Sequence, residues 1–305
     1  MTWTWSRKIG STALIGILGL LTAPTARAED APSSGYEVRV LRDIAYHNGD
    51  DADPVKHKLD VFVPRDCKDF PVLFFVHGGA WQRGDKSGHY GVYSALGMFM
   101  AKHGVGTVVT NYRLSPTVKH PEHIKDVARA FAWTYRNIAR YGGRPDQIFT
   151  CGHSAGGHLV ALLATDEQYL KAHELPLNVV KGVIPISGVF TIPERLLTGV
   201  FGNDPRTLQQ ASPQTHVRPD APPFLILFAE SDYPTLDQMA KDFGKALAEQ
   251  KVPAIVQEIK DRSHITIILR ACVENDPTNQ AILRFIALHS ANTVLKATLP
   301  PEEKP

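Results

Sequence analysis

The chain of 305 residues is short of cysteine, of charge imbalance and of long apolar runs. Three cysteines cannot build a disulfide framework, and an odd number leaves at least one outside any bridge. Cys151 stands in an apolar run and reads as a buried thiol. Cys67 and Cys272 could pair only by elimination, and nothing in the sequence brings their Cα atoms within bonding distance. Lys and Arg number 33 against 31 Asp and Glu, a net charge of +2 with no basic stripe. A nucleic-acid partner is therefore not expected. The N-terminal apolar stretch, Ile9 to Leu21, falls short of the roughly 20 residues that cross a bilayer, so no stable membrane anchor is expected. There is no internal repeat.

That short stretch has the layout of a secretory signal. Arg7 and Lys8 precede it and Ala26-Arg27-Ala28 follows, an A-x-A cleavage pattern that predicts cutting near Ala28 and export to the periplasm or beyond. No cysteine sits at the cut, so a lipid anchor is not expected. Losing Arg7, Lys8 and Arg27 takes the formal charge from +2 to −1, so the apparent basicity belongs to the leader. The remainder fits one large domain over 29–296, with a Pro/Glu/Lys tail over 297–305.

Along that domain, strand-like and helix-like segments alternate. Tyr36 to Leu41 and His57 to Val63 read as strands joined by an Asp-rich loop. Pro71 to Val76 and Gly106 to Thr110 are continuous apolar runs, as in strands buried on both faces. Pro121 to Tyr141 carries apolar residues at helical spacing (Ile124, Val127, Ala128, Phe131, Ile138) and stops at Gly142-Gly143. Gln147 to Cys151 reads as a strand, Gly157 to Ala164 as a helix and Val179 to Ser187 as a strand. Residues 188–220 are irregular and form a predicted cap or lid. Pro223 to Ala229 (strand), Leu236 to Gln250 (helix), Ala254 to Ile259 (strand) and Gln280 to His289 (helix) complete the order. The pattern predicts an α/β fold: a mainly parallel central sheet covered by helices on both faces and entered through an antiparallel hairpin.

The chemistry concentrates at Gly152-His153-Ser154-Ala155-Gly156. G-x-S-x-G between a strand and a helix describes a sharp turn that exposes a serine Oγ above the end of a sheet. The helix N-terminus behind it favours developing negative charge. Ser154 is the predicted nucleophile. Its base is expected on a loop beyond the last strand, where His264 stands in Asp261-Arg262-Ser263-His264. The acid that orients the base is expected after the preceding strand, where Asp232 is preferred, with Glu230 and Asp237 as alternatives. An oxyanion hole is expected after the first long buried strand, at His77-Gly78-Gly79-Ala80-Trp81. The N–H groups of Gly79 and Ala80 would be donors, with Gly78 shaping the turn and the N–H of Ala155 completing the hole.

The remaining candidates carry two readings each. His77 reads as a loop brace rather than a base. Trp81 and His153 are provisional pocket residues, as are Leu197 and Phe201 on the lid. Leu196, Leu197, Val200 and Phe201 equally suit simple packing of lid on core. His153 and His158 flank the elbow without a carboxylate at ligand spacing, so no metal is expected. Asp85-Lys86 and Asn111-Tyr112-Arg113-Leu114 read as braces of their loops.

Taken together, H-G-G-A-W at 77–81, N-Y-R-L at 111–114, G-H-S-A-G-G-H at 152–158, Asp232 and His264 resemble the α/β-hydrolase superfamily over about residues 36–290. Within it the chain is similar to hormone-sensitive-lipase-like, feruloyl-esterase-like (BD-FAE) and kynurenine-formamidase-like enzymes. Ala80 stands where lipase-like members have a third glycine, and the H-G-G-x-W form is nearer the other two branches. The resemblance implies a cofactor-free serine hydrolase acting on a small-molecule ester through a Ser-His-Asp triad and an acyl-enzyme. A formyl-amide hydrolase would use the same triad. A binding module with the fold but not the chemistry would be expected to lack one member of it.

Overall fold

In the computed structural model the described residues are 35–195 and 197–290. The signal-like segment 1–28, Leu196 of the lid and the tail 297–305 lie outside them.

Eight strands form one sheet: β1 (Val38–Ala45), β2 (Lys58–Pro64), β3 (Phe70–Val76), β4 (Gly106–Thr110), β5 (Gly143–His153), β6 (Val180–Ile186), β7 (Phe224–Ser231) and β8 (Ala254–Ser263). Their spatial order is β1-β2-β4-β3-β5-β6-β7-β8. The β1-β2 hairpin and the β2-β4 pair are antiparallel, and every pair from β4 to β8 is parallel. The helices are α1 (Val92–Lys102), α2 (Glu122–Asn137), α3 (Ala155–Thr165), α4 (Gln168–Lys171), α5 (Thr198–Phe201), α6 (Pro205–Gln210), α7 (Leu236–Glu249), α8 (Thr266–Leu269) and α9 (Pro277–His289).

Phe70-Pro71-Val72-Leu73-Phe74-Phe75-Val76 of β3 is buried along its whole length, because the strand lies mid-sheet with helices above and below. Phe70, Val72, Phe74 and Val76 face one core with Phe131 of α2, Leu159 of α3 and Phe243 of α7. Leu73 and Phe75 face the other with Leu96 of α1 and Phe285 of α9. Burying one such side chain contributes about 1.5–3 kcal/mol, and the period of two along the strand serves both cores at once. Cys67 packs against the first core and Cys272 against the second, so they lie over opposite faces of the sheet and no disulfide joins them.

The fold differs from expectation in several places. α1, α4 and α8 were not anticipated. The stretch 188–220 is largely irregular, as expected, but short helices interrupt it: α5, α6 and a 3₁₀ turn over Pro213–His216. β5 starts four residues before, and β8 runs four residues beyond, the apolar runs that marked them, because one further pair, Phe70 with Gly143 and Ser231 with Ser263, lies beyond a register shift in each ladder.

Candidate active site

Parallel strands deliver their following loops to one edge of the sheet. Val76 of β3 pairs with Gly152 of β5, so the loop from His77 emerges beside the turn at Ser154. Ser231 of β7 pairs with Ser263 of β8, which sets Asp232 and His264 side by side. Four segments distant in sequence thus meet at the carboxyl ends of the strands.

Ser154 has φ 56° and ψ −117°, a conformation that side chains rarely adopt. The surroundings hold it there: its N–H donates to the Ile186 carbonyl at 2.8 Å, and its own carbonyl accepts from His158 N–H at 3.1 Å. Glycines make the turn sterically possible. A Cβ at Gly152 would lie 2.3 Å from the Gly156 oxygen, and one at Gly156 would lie 2.0 Å from the Val76 oxygen. Ser154 Oγ–H donates to His264 Nε2 at 3.0 Å. His264 Nδ1–H donates to Asp232 Oδ1 at 2.7 Å. Asp232 Oδ1 also accepts the N–H of Tyr233 at 2.9 Å. Its Oδ2 accepts Ser187 Oγ–H at 2.6 Å and the N–H of Ala229 at 3.0 Å. Burial pushes this carboxyl upward, but the hydrogen bonds from His264, Ser187 and Ala229 outweigh burial and hold it below its ordinary value. A carboxylate so held keeps the imidazole in the tautomer that presents a bare Nε2 to the hydroxyl, the arrangement that can draw a proton from serine as it attacks. The alternative acids point elsewhere. Glu230 accepts from Lys260 and the Asp261 N–H, and Asp237 pairs with Lys241 along α7.

The loop at 77–81 is braced from below. His77 stacks on Tyr112 with centroids 4.4 Å apart, its Nδ1–H donates to the Gly78 carbonyl at 2.7 Å, and the Tyr112 hydroxyl donates to the His77 carbonyl at 3.2 Å. Burial pushes its imidazole down to about 4, which suits a neutral brace. The N–H of Gly78 donates to the Tyr93 hydroxyl at 3.2 Å and is thereby engaged. Among the described residues no acceptor takes the N–H of Gly79, Ala80 or Ala155. Gly79 (φ 118°), Ala80 (53°) and Trp81 (58°) run consecutively through left-handed backbone. At Gly79 a Cβ would lie 2.0 Å from the Arg83 oxygen, so this position admits glycine alone.

Of the four provisional pocket residues, three are buried. Trp81 is 2% exposed, with its Nε1–H on His158 Nδ1 at 3.2 Å and its ring edge-on to Phe201 at 5.0 Å. Phe201 is 3% exposed, and Leu197 is partly exposed against the core. His153 is 4% exposed, and its Nε2–H donates to the His264 backbone carbonyl at 2.8 Å. His158 bridges two loops by accepting from Trp81 and donating Nε2–H to the Ala211 carbonyl at 2.7 Å. The expected braces hold loops: Lys86 pairs with Asp43 and Asp60 at 2.8 Å each, and Arg113 pairs with buried Asp126 at 2.8 Å. Among the described residues no group of three or more His, Cys, Asp or Glu is arranged to hold a metal ion. Sequence reasoning passed over Ser187, Tyr93 and Tyr233. Ser187 directly follows β6 beside the elbow, and a polar residue just past the carboxyl end of a buried parallel strand was the available signal.

Known proteins resemble this chain to differing depth. A probable carboxylic ester hydrolase, LipM of Mycobacterium tuberculosis, is 34% identical over 253 residues, covering 74% of this chain and 58% of LipM. Kynurenine formamidase of Danio rerio is 24% identical and covers 92% of both chains. The chain spans little more than half the length of LipM and of the esterase LipQ from the same organism. Among solved structures, a truncated carbohydrate esterase from gut microbiota superposes with a TM-score of 0.71 at 19% identity, covering 87% of this chain and 100% of that one. Esterase B of Lactobacillus rhamnosis gives 0.69 at 21%, covering 86% and 89%. At such identities the likeness is one of fold, and that fold is the α/β hydrolase. The profile of the BD-FAE family matches residues 59–247, from the second strand through α7. Because that span takes in the 77–81 loop and Ser154 together, the chain belongs to the BD-FAE family.

Proposed function

We propose that the protein is a serine hydrolase that cleaves carboxylic esters of small molecules. The observation that carries the reading is the continuous hydrogen-bonded line from Ser154 Oγ through His264 to Asp232, at 3.0 and 2.7 Å. Its support from relatives is that LipM and LipQ are named as ester hydrolases. In the first half-reaction Ser154 Oγ attacks the ester carbonyl and His264 Nε2 takes the hydroxyl proton. The N–H groups of Gly79, Ala80 and Ala155 receive the oxyanion; each such donor contributes about 3 kcal/mol of transition-state stabilisation. His264 then gives its proton to the departing alkoxide, leaving Ser154 acylated. Water, deprotonated by the same nitrogen, attacks the acyl carbonyl, and the carboxylic acid leaves as Oγ regains its proton. Throughout, Asp232 balances the imidazolium.

A formyl-amide hydrolase is the second reading, and one observation favours it: the kynurenine formamidases of Danio rerio and Salmo salar match nearly end to end, the first over 92% of both chains. Turnover of acetyl, butyryl, octanoyl and feruloyl esters against N-formylkynurenine decides between them. Ser154→Ala is expected to abolish the hydrolysis while leaving circular dichroism and the melting temperature unchanged. More than a few per cent residual rate overturns Ser154 as nucleophile. Export, read from residues 7–28, belongs to the same proposal, and intact mass of the protein recovered from its native cell tests cutting after Ala28.

A further inference from the structure

β5 and β8 are separated in the sheet by β6 and β7, yet the last residue of β5 and the residue after β8 are tied together. His153 Nε2–H donates to the backbone carbonyl of His264, 111 residues away, and the two rings lie 4.8 Å apart at 43°. We propose that His153 is a positioning residue, which sets the distance from Ser154 Oγ to His264 Nε2 by tethering the backbone of His264 to the elbow. The proposal rests on the reading of Ser154 as nucleophile and His264 as its base.

The geometry closes a ring. From Ser154 Oγ the path runs to His264 Nε2, through His264 to its carbonyl, across to His153 Nε2, and along one peptide back to Ser154. His264 needs such a hold. It stands in the turn between β8 and the single-turn helix α8. Asp232 grips its ring at one atom, Nδ1, which selects the tautomer but leaves a pivot. The other ring neighbour, Tyr233, stacks at 4.1 Å but is 55% exposed, so it is a loose support. The tether fixes the backbone from which the ring hangs, and it is anchored on the residue next to the nucleophile.

The cost of placing a histidine there points the same way. A carbonyl only accepts, so the ring hydrogen sits on Nε2 and Nδ1 is bare. That Nδ1 is buried and has no hydrogen-bond partner, and it lies 3.1 Å from where a Cβ on Gly78 would be. An apolar side chain would leave no orphaned nitrogen. What the position gains from histidine is a stiff donor long enough to reach the base's main chain.

The test uses the full chain and two variants. Glutamine extends an N–H about as far as Nε2, whereas leucine offers no donor. His153→Leu is expected to lower kcat on p-nitrophenyl acetate and the rate of Ser154 labelling by a fluorophosphonate by about ten- to a hundredfold, the scale of a small misplacement of reacting groups. KM stays within about twofold, and His153→Gln recovers most of the loss. In ¹⁵N-histidine spectra of the unaltered protein, His153 holds the Nε2–H tautomer from pH 8 to 5. A leucine variant labelled at the parent rate, a glutamine variant as slow as a folded leucine one, or the opposite tautomer each overturns the proposal. If His153→Leu does not fold, the glutamine variant and the tautomer decide. Absence of labelling in the unaltered protein would instead sink the proposed function, and the tautomer would still judge the tether.

Discussion

Ser187 hands its hydroxyl hydrogen to Asp232 Oδ2 at 2.6 Å, so the carboxylate that supports His264 is itself supported by the residue after β6. A hydrogen bond to a charged group contributes about 1.5–3 kcal/mol. Ser187→Ala is expected to lower kcat about tenfold with KM nearly unchanged, read from initial rates; an unaltered kcat would remove Ser187 from the site. Gly156→Ala tests the elbow itself. Its new Cβ would meet the Val76 oxygen at 2.0 Å, backbone against backbone, and the variant is expected to lose soluble yield or several degrees of melting temperature. At this scale the nucleophile, base and acid candidates were legible, because each sits at a fixed place relative to a strand that apolar composition reveals. His153 was not. A histidine beside a nucleophile invites a pocket role, and only a partner 111 residues away turns it into a brace.

The stretch 188–220 is held by a few contacts that name their own test. α5 brings Phe201 against Trp81 at 5.0 Å and His120 at 5.5 Å, the Val200 carbonyl accepts His120 N–H at 2.9 Å, and the Ala211 carbonyl accepts His158. Phe201→Ala is expected to cost about 3–5 kcal/mol and to expose 188–220 to limited proteolysis before the rest of the chain. Equal cleavage rates would show that this stretch is held elsewhere. Among the helices, α1 escaped the sequence reading because Val92, Tyr93, Leu96, Gly97, Phe99, Met100 and Ala101 are all buried and blur the polar face that marks a surface helix. Its omission mattered, since Tyr93 takes up the Gly78 N–H. α9 begins at Pro277 and not at Gln280 as apolar spacing suggested. Asp276 caps it by accepting Thr278 N–H at 2.9 Å, and Asp-Pro is a start signal visible in the sequence.

Over the whole molecule, buried neutral histidines make stability depend on pH. Burial pushes His77 down to about 4 and His153 and His158 to about 3. Above about pH 6.5 imidazoles are neutral in the folded and the unfolded chain alike, so stability is fully present. Below it the unfolded chain binds protons that the folded chain refuses, and stability falls as pH drops toward the folded values. By pH 5 each of the three removes about 2 kcal/mol. Urea melts followed by circular dichroism are expected to shift steeply to lower denaturant between pH 7 and 5, and matching midpoints at the two would contradict this account. The sequence by itself determined where the eight strands and the helices α2, α3, α7 and α9 lie, the chain order of Ser154, Asp232 and His264, and the glycines of the tight loops, because these follow from local pattern and steric limits. Tertiary structure alone decided which N–H groups near Ser154 stay unengaged, that Trp81 and Phe201 close on each other, and that His153 grips the loop of His264. Those outcomes depend on which strand ends the sheet order makes neighbours, and no local pattern encodes a contact across two intervening strands.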